Sequence, residues 1–227
     1  MSEQPQIAIR TAESALAANR VLRNTYLLLS MTLLFSAAMA GLSMALNVPY
    51  FVSLVTSLTA IVLLWFVVPR TAESAAGIYV VFGVTGLLGF GLGPILNHYL
   101  HLPNGGQLVM TALGITGVTF VGLSAYAVTS RRSFSFLGSF LMAGVLIAFV
   151  AMLVSLGAAA FGHPLPGLAL AVSAMFAVLM VGMILWQTGE IVNGGETNYI
   201  LATVGLYVSI YNLFTSLLQL LGFTSSD

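Results

Sequence analysis

The chain has 227 residues, 59% of them hydrophobic and only 5% charged, where a soluble domain carries roughly 25% charged residues, so it is a membrane protein. It contains no lysine and no cysteine, which excludes disulfides, thiol catalysis, thiolate metal sites and any lysine Schiff base, and with the last a retinal-binding seven-helix protein. Net charge is zero and no basic run occurs, so nothing points to nucleic acid.

The first 23 residues carry Arg10, Arg20 and Arg23 with two glutamates and lack an apolar core followed by a small-residue cleavage site. They read as a retained polar tail and not as a signal peptide. Apolar runs then fall at 24–46, 50–68, 75–97, 107–129, 134–160, 166–189 and 199–222, and about 20 helical residues suffice to cross a hydrocarbon core ~30 Å thick. The expected architecture is an all-α membrane domain over 24–222 with seven transmembrane helices. The breaks carry turn chemistry: Asn47 and Pro49, Pro69 and Arg70, 98–106 with Pro103, 130–133, 163–166 and 190–198. None is long enough to hold another domain.

Lys and Arg of short loops are retained on the cytoplasmic side. All six arginines fall on one side if the N-terminus is inside: three in the tail, Arg70 after the second span, and Arg131 and Arg132 after the fourth. Seven spans then place the C-terminus, ending in Ser225, Ser226 and Asp227, outside. The loop with Glu190 and Glu196 is cytoplasmic.

In the third span Gly86, Gly89 and Gly93 share one helical face, followed by Pro94. Another backbone can approach closely there, and Pro94 removes a helical hydrogen bond near the outer end. A phosphate-cradling loop would follow a strand and end in Lys, and this chain has none. Gly114, Gly117 and Gly122 in the fourth span, and Ala37 with Gly41 in the first, extend the same small-residue theme.

In the last span Gly205, Ser209, Asn212, Ser216 and Gln219 recur at steps of four, three, four and three, which is one helical face. Polar groups on a spanning helix are costly against lipid, so the stripe reads as facing other helices and the last helix as central. An ordinary packed helix whose Ser and Asn bond nearby backbone gives the same spacing.

Three patterns bear on chemistry. His98, His101 and His163 share the outer side, where three imidazoles can bind zinc if loops meet, but no carboxylate precedes Asp227 there. Ser124 in GLSAY has no histidine at its depth, which removes an intramembrane serine protease. Glu190 sits one turn beyond Gln187, and ionisable groups at membrane depth are functional candidates. With Asn212 of the stripe it forms the candidate proton or ion site. The plain alternative is a solvated glutamate, because Gly189 and Asn193 signal a helix end.

Four blocks carry a resemblance: VLRNTYLLLSMTL at 21–33, GFGLGPILN at 89–97, SFLGSFLMAG at 135–144 and GGETNYILATVGLYVSIYNLF at 194–214. In order and along nearly the whole chain they resemble the Bax inhibitor-1 (TMBIM) superfamily, and within it the bacterial branch that modulates the FtsH membrane protease. The resemblance implies a seven-helix fold with the last helix wrapped by the other six. It implies no cofactor and no enzyme activity. Its implied partners are an FtsH-type protease, membrane-associated regulators of that protease, and the lipid bilayer.

Some members of the superfamily are pH-sensitive calcium leak channels in which two aspartates on the last two helices share protons. Their positions fall on Gln187 and Ser209 here. Two close carboxylates titrate as a coupled pair, whereas an amide and a hydroxyl hold their charge at every accessible pH. The leading expectation is therefore a protein that binds and inhibits a membrane-anchored AAA protease, with 1–19 as its cytoplasmic handle, and that is itself a slow substrate. The Ala-rich second half of that handle, TAESALAAN, can instead extend the first helix as an amphipathic lead-in. The alternative is a calcium or cation leak that uses Glu190.

Overall fold

The computed structural model of the protein describes residues 4–130 and 132–224. Arg131 and Asp227, on which the orientation and zinc readings drew, lie outside them, as do Ser225 and Ser226. Every element among the described residues is helical, and seven helices are long and apolar enough to cross a membrane. The all-α, seven-span expectation is borne out. We number the helices α1 (Gln4–Ala45), α2 (Tyr50–Thr71), α3 (Ala76–Leu100), α4 (Gly105–Ser130), α5 (Ser135–Ala160), α6 (Pro166–Val192) and α7 (Tyr199–Thr224).

The first helix begins far ahead of the apolar run. From Gln4 the chain is helical without a break into the span, so the Ala-rich stretch TAESALAAN leads into α1. In α2 the ladder changes register over Leu63–Val67, a single π turn in which the Val68 N–H donates to the Leu63 carbonyl. Pro69 follows at once. Its missing N–H and its ring disturb the preceding turn, and a π turn is one way a helix absorbs that disturbance.

Helix ends in lipid must satisfy their own backbone groups. At the end of α6, Gly194 takes φ +77°, a left-handed value suited to glycine. The Gly195 N–H then donates to the Glu190 carbonyl at 2.8 Å and the Gly194 N–H to the Ile191 carbonyl at 3.3 Å. This is a Schellman closure. α5 closes in the same way at Gly162, and α1 at Asn47.

The chain divides into two compact units, and α7 contributes to both. One takes in α1 to α3 as far as Asn97 together with Gly189–Tyr207. The other takes in His98–Thr188 and the chain from Val208. In the first unit α3 lies tight against α1 and α2. A Cβ on Gly86 would meet the Phe35 ring at 2.7 Å, one on Gly89 would collide with the Ser36 backbone, and one on Gly93 with the Ser43 side chain. Phe35 also stands edge-on to Phe82, ring centres 5.4 Å apart, and Ser53 of α2 donates to the Gly91 carbonyl at 2.5 Å. Pro94, inside α3, is buried in this packing.

In the second unit α6 runs antiparallel to α5: Gly138 sits on the Trp186 ring, Leu141 on Gly182, and Gly144 on Leu179. The glycines of α4 behave otherwise. Gly114, Gly117 and Gly122, like Gly41 of α1, have nothing within 4 Å of a Cβ position. The small-residue theme thus does not extend to them, because α4 is only 17% buried and turns those positions away from the rest of the chain. At the other extreme α7 is 61% buried and α3 56%, so the last helix is the most enclosed of the seven.

Candidate functional site

The polar stripe of α7 meets α6. Ser209, 1% exposed, donates from its hydroxyl to Gln187 Oε1 at 3.0 Å. Ten residues further along α7, Gln219 Oε1 accepts from the Ser173 hydroxyl at 2.6 Å. The two pairs advance in opposite directions along the two helices, so they pin one antiparallel register. Asn212, between them, turns its amide onto its own helix and donates to the Val208 carbonyl at 2.8 Å. Ser216 is buried, and Gly205 is half-buried.

Gln187 and Ser209 thus stand as hydrogen-bonded neighbours. An amide and a hydroxyl at this distance form a neutral clasp. It neither gains nor loses a proton with pH, and it holds no net charge for a cation.

Glu190 lies on the last turn of α6, half-buried. Its carboxylate folds over the Gly195 backbone so closely that a Cβ there would collide with Oε2. Its carbonyl accepts both the Gly195 N–H and, at 3.2 Å, the Glu196 N–H. Glu196 is engaged too, since its Oε1 accepts the Asn198 N–H at 2.7 Å. Asn198 then caps α7: its Oδ1 accepts from Ile200 N at 2.9 Å and Leu201 N at 3.3 Å, and its Nδ2 donates to the Ala72 carbonyl at the end of α2, 3.0 Å away. The acidic loop is therefore a folded connector in which the Glu196 carboxylate is held on backbone. Among the described residues no three His, Asp or Glu side chains come together as a metal site, and His98 packs edge-on to Tyr99 instead.

A second polar face of α7 escaped the stripe. Tyr199, Thr203 and Tyr207 recur at steps of four. Thr203 donates to the Thr25 carbonyl of α1 at 3.3 Å. Tyr207, 1% exposed, places its hydroxyl 2.5 Å from Ser36 Oγ and donates to the Thr85 carbonyl of α3 at 3.2 Å. Geometry leaves one consistent arrangement: the Ser36 hydroxyl donates to Tyr207, whose own proton goes to Thr85. The partners on α1 were legible as well. Thr25, Thr32, Ser36 and Ser43 are all buried, at steps of seven, four and seven along one face.

Relatives of this chain share nearly its whole length. It is 46% identical to a membrane protein of Vibrio cholerae over 95% of this chain and 94% of that one. It is 47% identical, over 94% of both chains, to the modulator of FtsH protease YccA of Escherichia coli K12, and equally to the inner membrane protein YccA of Escherichia coli O6:H1. The family described as "Inhibitor of apoptosis-promoting Bax1" matches residues 18–226. With seven membrane-crossing helices and a match along almost all of its length, the chain belongs to that Bax inhibitor-1 family.

Proposed function

We propose that this protein binds and modulates a membrane-anchored AAA protease of FtsH type, slowing it towards other clients. The observation that carries this reading is the 47% identity, over 94% of both chains, to a protein named as a modulator of that protease. The neutral Gln187–Ser209 clasp supports it, because a protease modulator needs no titrating pair.

The physical mechanism follows from the packing. An AAA protease grips a chain end and pulls, and the polar segment 1–19 is the proposed handle, on the cytoplasmic side with the arginines. Behind it stands a body whose α3 is held against α1 by close glycine contacts and whose α6 and α7 are clasped by hydrogen bonds. A segment that engages readily and a body that yields slowly occupy the protease. The protein is then a slow substrate, not an enzyme, of the bacterial inner membrane, with its C-terminus in the periplasm. Co-purification with the protease from solubilised membranes, and slower turnover of the chain when residues 2–19 are deleted, are the expected results.

A pH-sensitive cation leak needs a group that titrates in the pathway. Glu190 is the remaining acid on that turn, so calcium uptake into liposomes separates the readings. Uptake that depends on pH and disappears in Glu190→Gln overturns the proposal, and its absence alongside co-purification supports it.

A further inference from the structure

The last turn of α3, the start of α6 and the last turns of α7 line an open pocket of about 280 Å³ that the protease reading does not use. Its walls are of two kinds. Leu102, Pro166, Leu170 and Phe223 form an apolar side, whereas His98 and Gln219 supply polar atoms, and no acid or arginine lines it. The Gln219 side chain is held: its Oε1 accepts from the buried Ser173 hydroxyl at 2.6 Å. That leaves the amide nitrogen, with two N–H donors, without a partner among the described residues. The opposite wall is firm, since the Tyr99 ring fills the space where a Gly222 side chain would stand, with the His98 ring edge-on to it.

Position selects the ligand. All three segments lie within a turn or two of the ends of membrane-crossing helices, the depth at which a bilayer keeps its phosphate and glycerol groups. The volume falls just below the ~300 Å³ of the smallest ordinary ligand sites, enough for a headgroup and a few methylenes but not for a whole lipid. We propose that this pocket holds the head of one bilayer phospholipid. Its phosphodiester accepts hydrogen bonds from the Gln219 amide and the His98 ring, and its glycerol and first acyl carbons lie on Leu102, Leu170 and Phe223. Free phosphate has the same acceptors but no hydrocarbon to lay on Leu102, Leu170 and Phe223. The bound lipid ties the ends of α3, α6 and α7 together.

The test is native mass spectrometry of the full-length protein released from nanodiscs. We expect one retained phosphatidylglycerol or phosphatidylethanolamine, with diacylglycerol, which lacks the phosphate, retained at least about tenfold less well, as loss of charge-assisted hydrogen bonds implies. Millimolar inorganic phosphate should leave the lipid in place. Gln219→Glu removes the amide donor while keeping an acceptor for the Ser173 hydroxyl, and Ala169→Phe fills the pocket from α6. Each should reduce the retained lipid while the melting temperature in detergent stays near that of the parent. Equal retention of diacylglycerol, displacement by inorganic phosphate, or unchanged lipid in both folded variants would overturn the proposal.

Discussion

The Tyr207 hydroxyl and Ser36 Oγ, 2.5 Å apart and 171 positions apart in sequence, join the most buried helix to the first, and the same hydroxyl reaches the Thr85 carbonyl of α3. One side chain thereby links three helices of one unit. Tyr207→Phe keeps the ring and removes both bonds, leaving Ser36 buried with its hydroxyl unpaired. A loss of about 0.5–2 kcal/mol is expected, the range for a membrane-buried hydrogen bond. Adding Ser36→Ala to Tyr207→Phe should cost less than the sum of the two single changes. Unfolding titrations of the four variants in mixed micelles check this, and simple additivity would mean the two groups are not coupled.

Gly89 and Gly114 are both helix-interior glycines, yet opposite outcomes are expected. A Cβ on Gly89 meets the backbone of Ser36, which cannot move aside, whereas one on Gly114 meets nothing. Gly89→Ala should destabilise by ~1–3 kcal/mol through overpacking, and Gly114→Ala should be neutral or gain up to about 1 kcal/mol from helix propensity. Thermal melting of the two proteins in one detergent decides it.

Asn198 caps α7 through two N–H groups and reaches back to the Ala72 carbonyl. Asn198→Ala should cost about 1–2 kcal/mol for the lost cap and bridge, and hydrogen exchange should rise first at Ile200 and Leu201. Protection unchanged at those two amides would show that the cap is dispensable.

Placing carboxylates at 187 and 209 should create a pH dependence that the parent lacks at this site. In Gln187→Asp with Ser209→Asp two carboxyl groups occupy the neighbouring positions that a hydrogen bond now joins, and two like charges so close repel each other. The melting temperature of the double variant should fall as pH rises and the pair gains charge, while the parent shows no such fall from this pair.

The spans were legible because hydrocarbon admits only long apolar helices, and the stripe from Gly205 to Gln219 because amides avoid lipid. What periodicity does not carry is which helix a face meets. The stripe named Ser209 but not its partner on α6, and that partner came only with the superfamily's residue pattern. Tyr207 passed unnoticed because a tyrosine is apolar enough to look like filler, although Thr203 one turn away marks the same face. Gly86 and Gly114 look alike in sequence. One has the Phe35 ring against it and the other faces away from the chain, a difference set by α3 being enclosed and α4 peripheral.

The most direct measurement is the rate at which a purified FtsH-type protease degrades a membrane client in proteoliposomes, with this protein inserted at increasing ratio. The account predicts that client degradation slows with each addition until it levels off, and that deleting residues 2–19 weakens the effect. A client rate that stays constant when the inserted protein is in excess would contradict it.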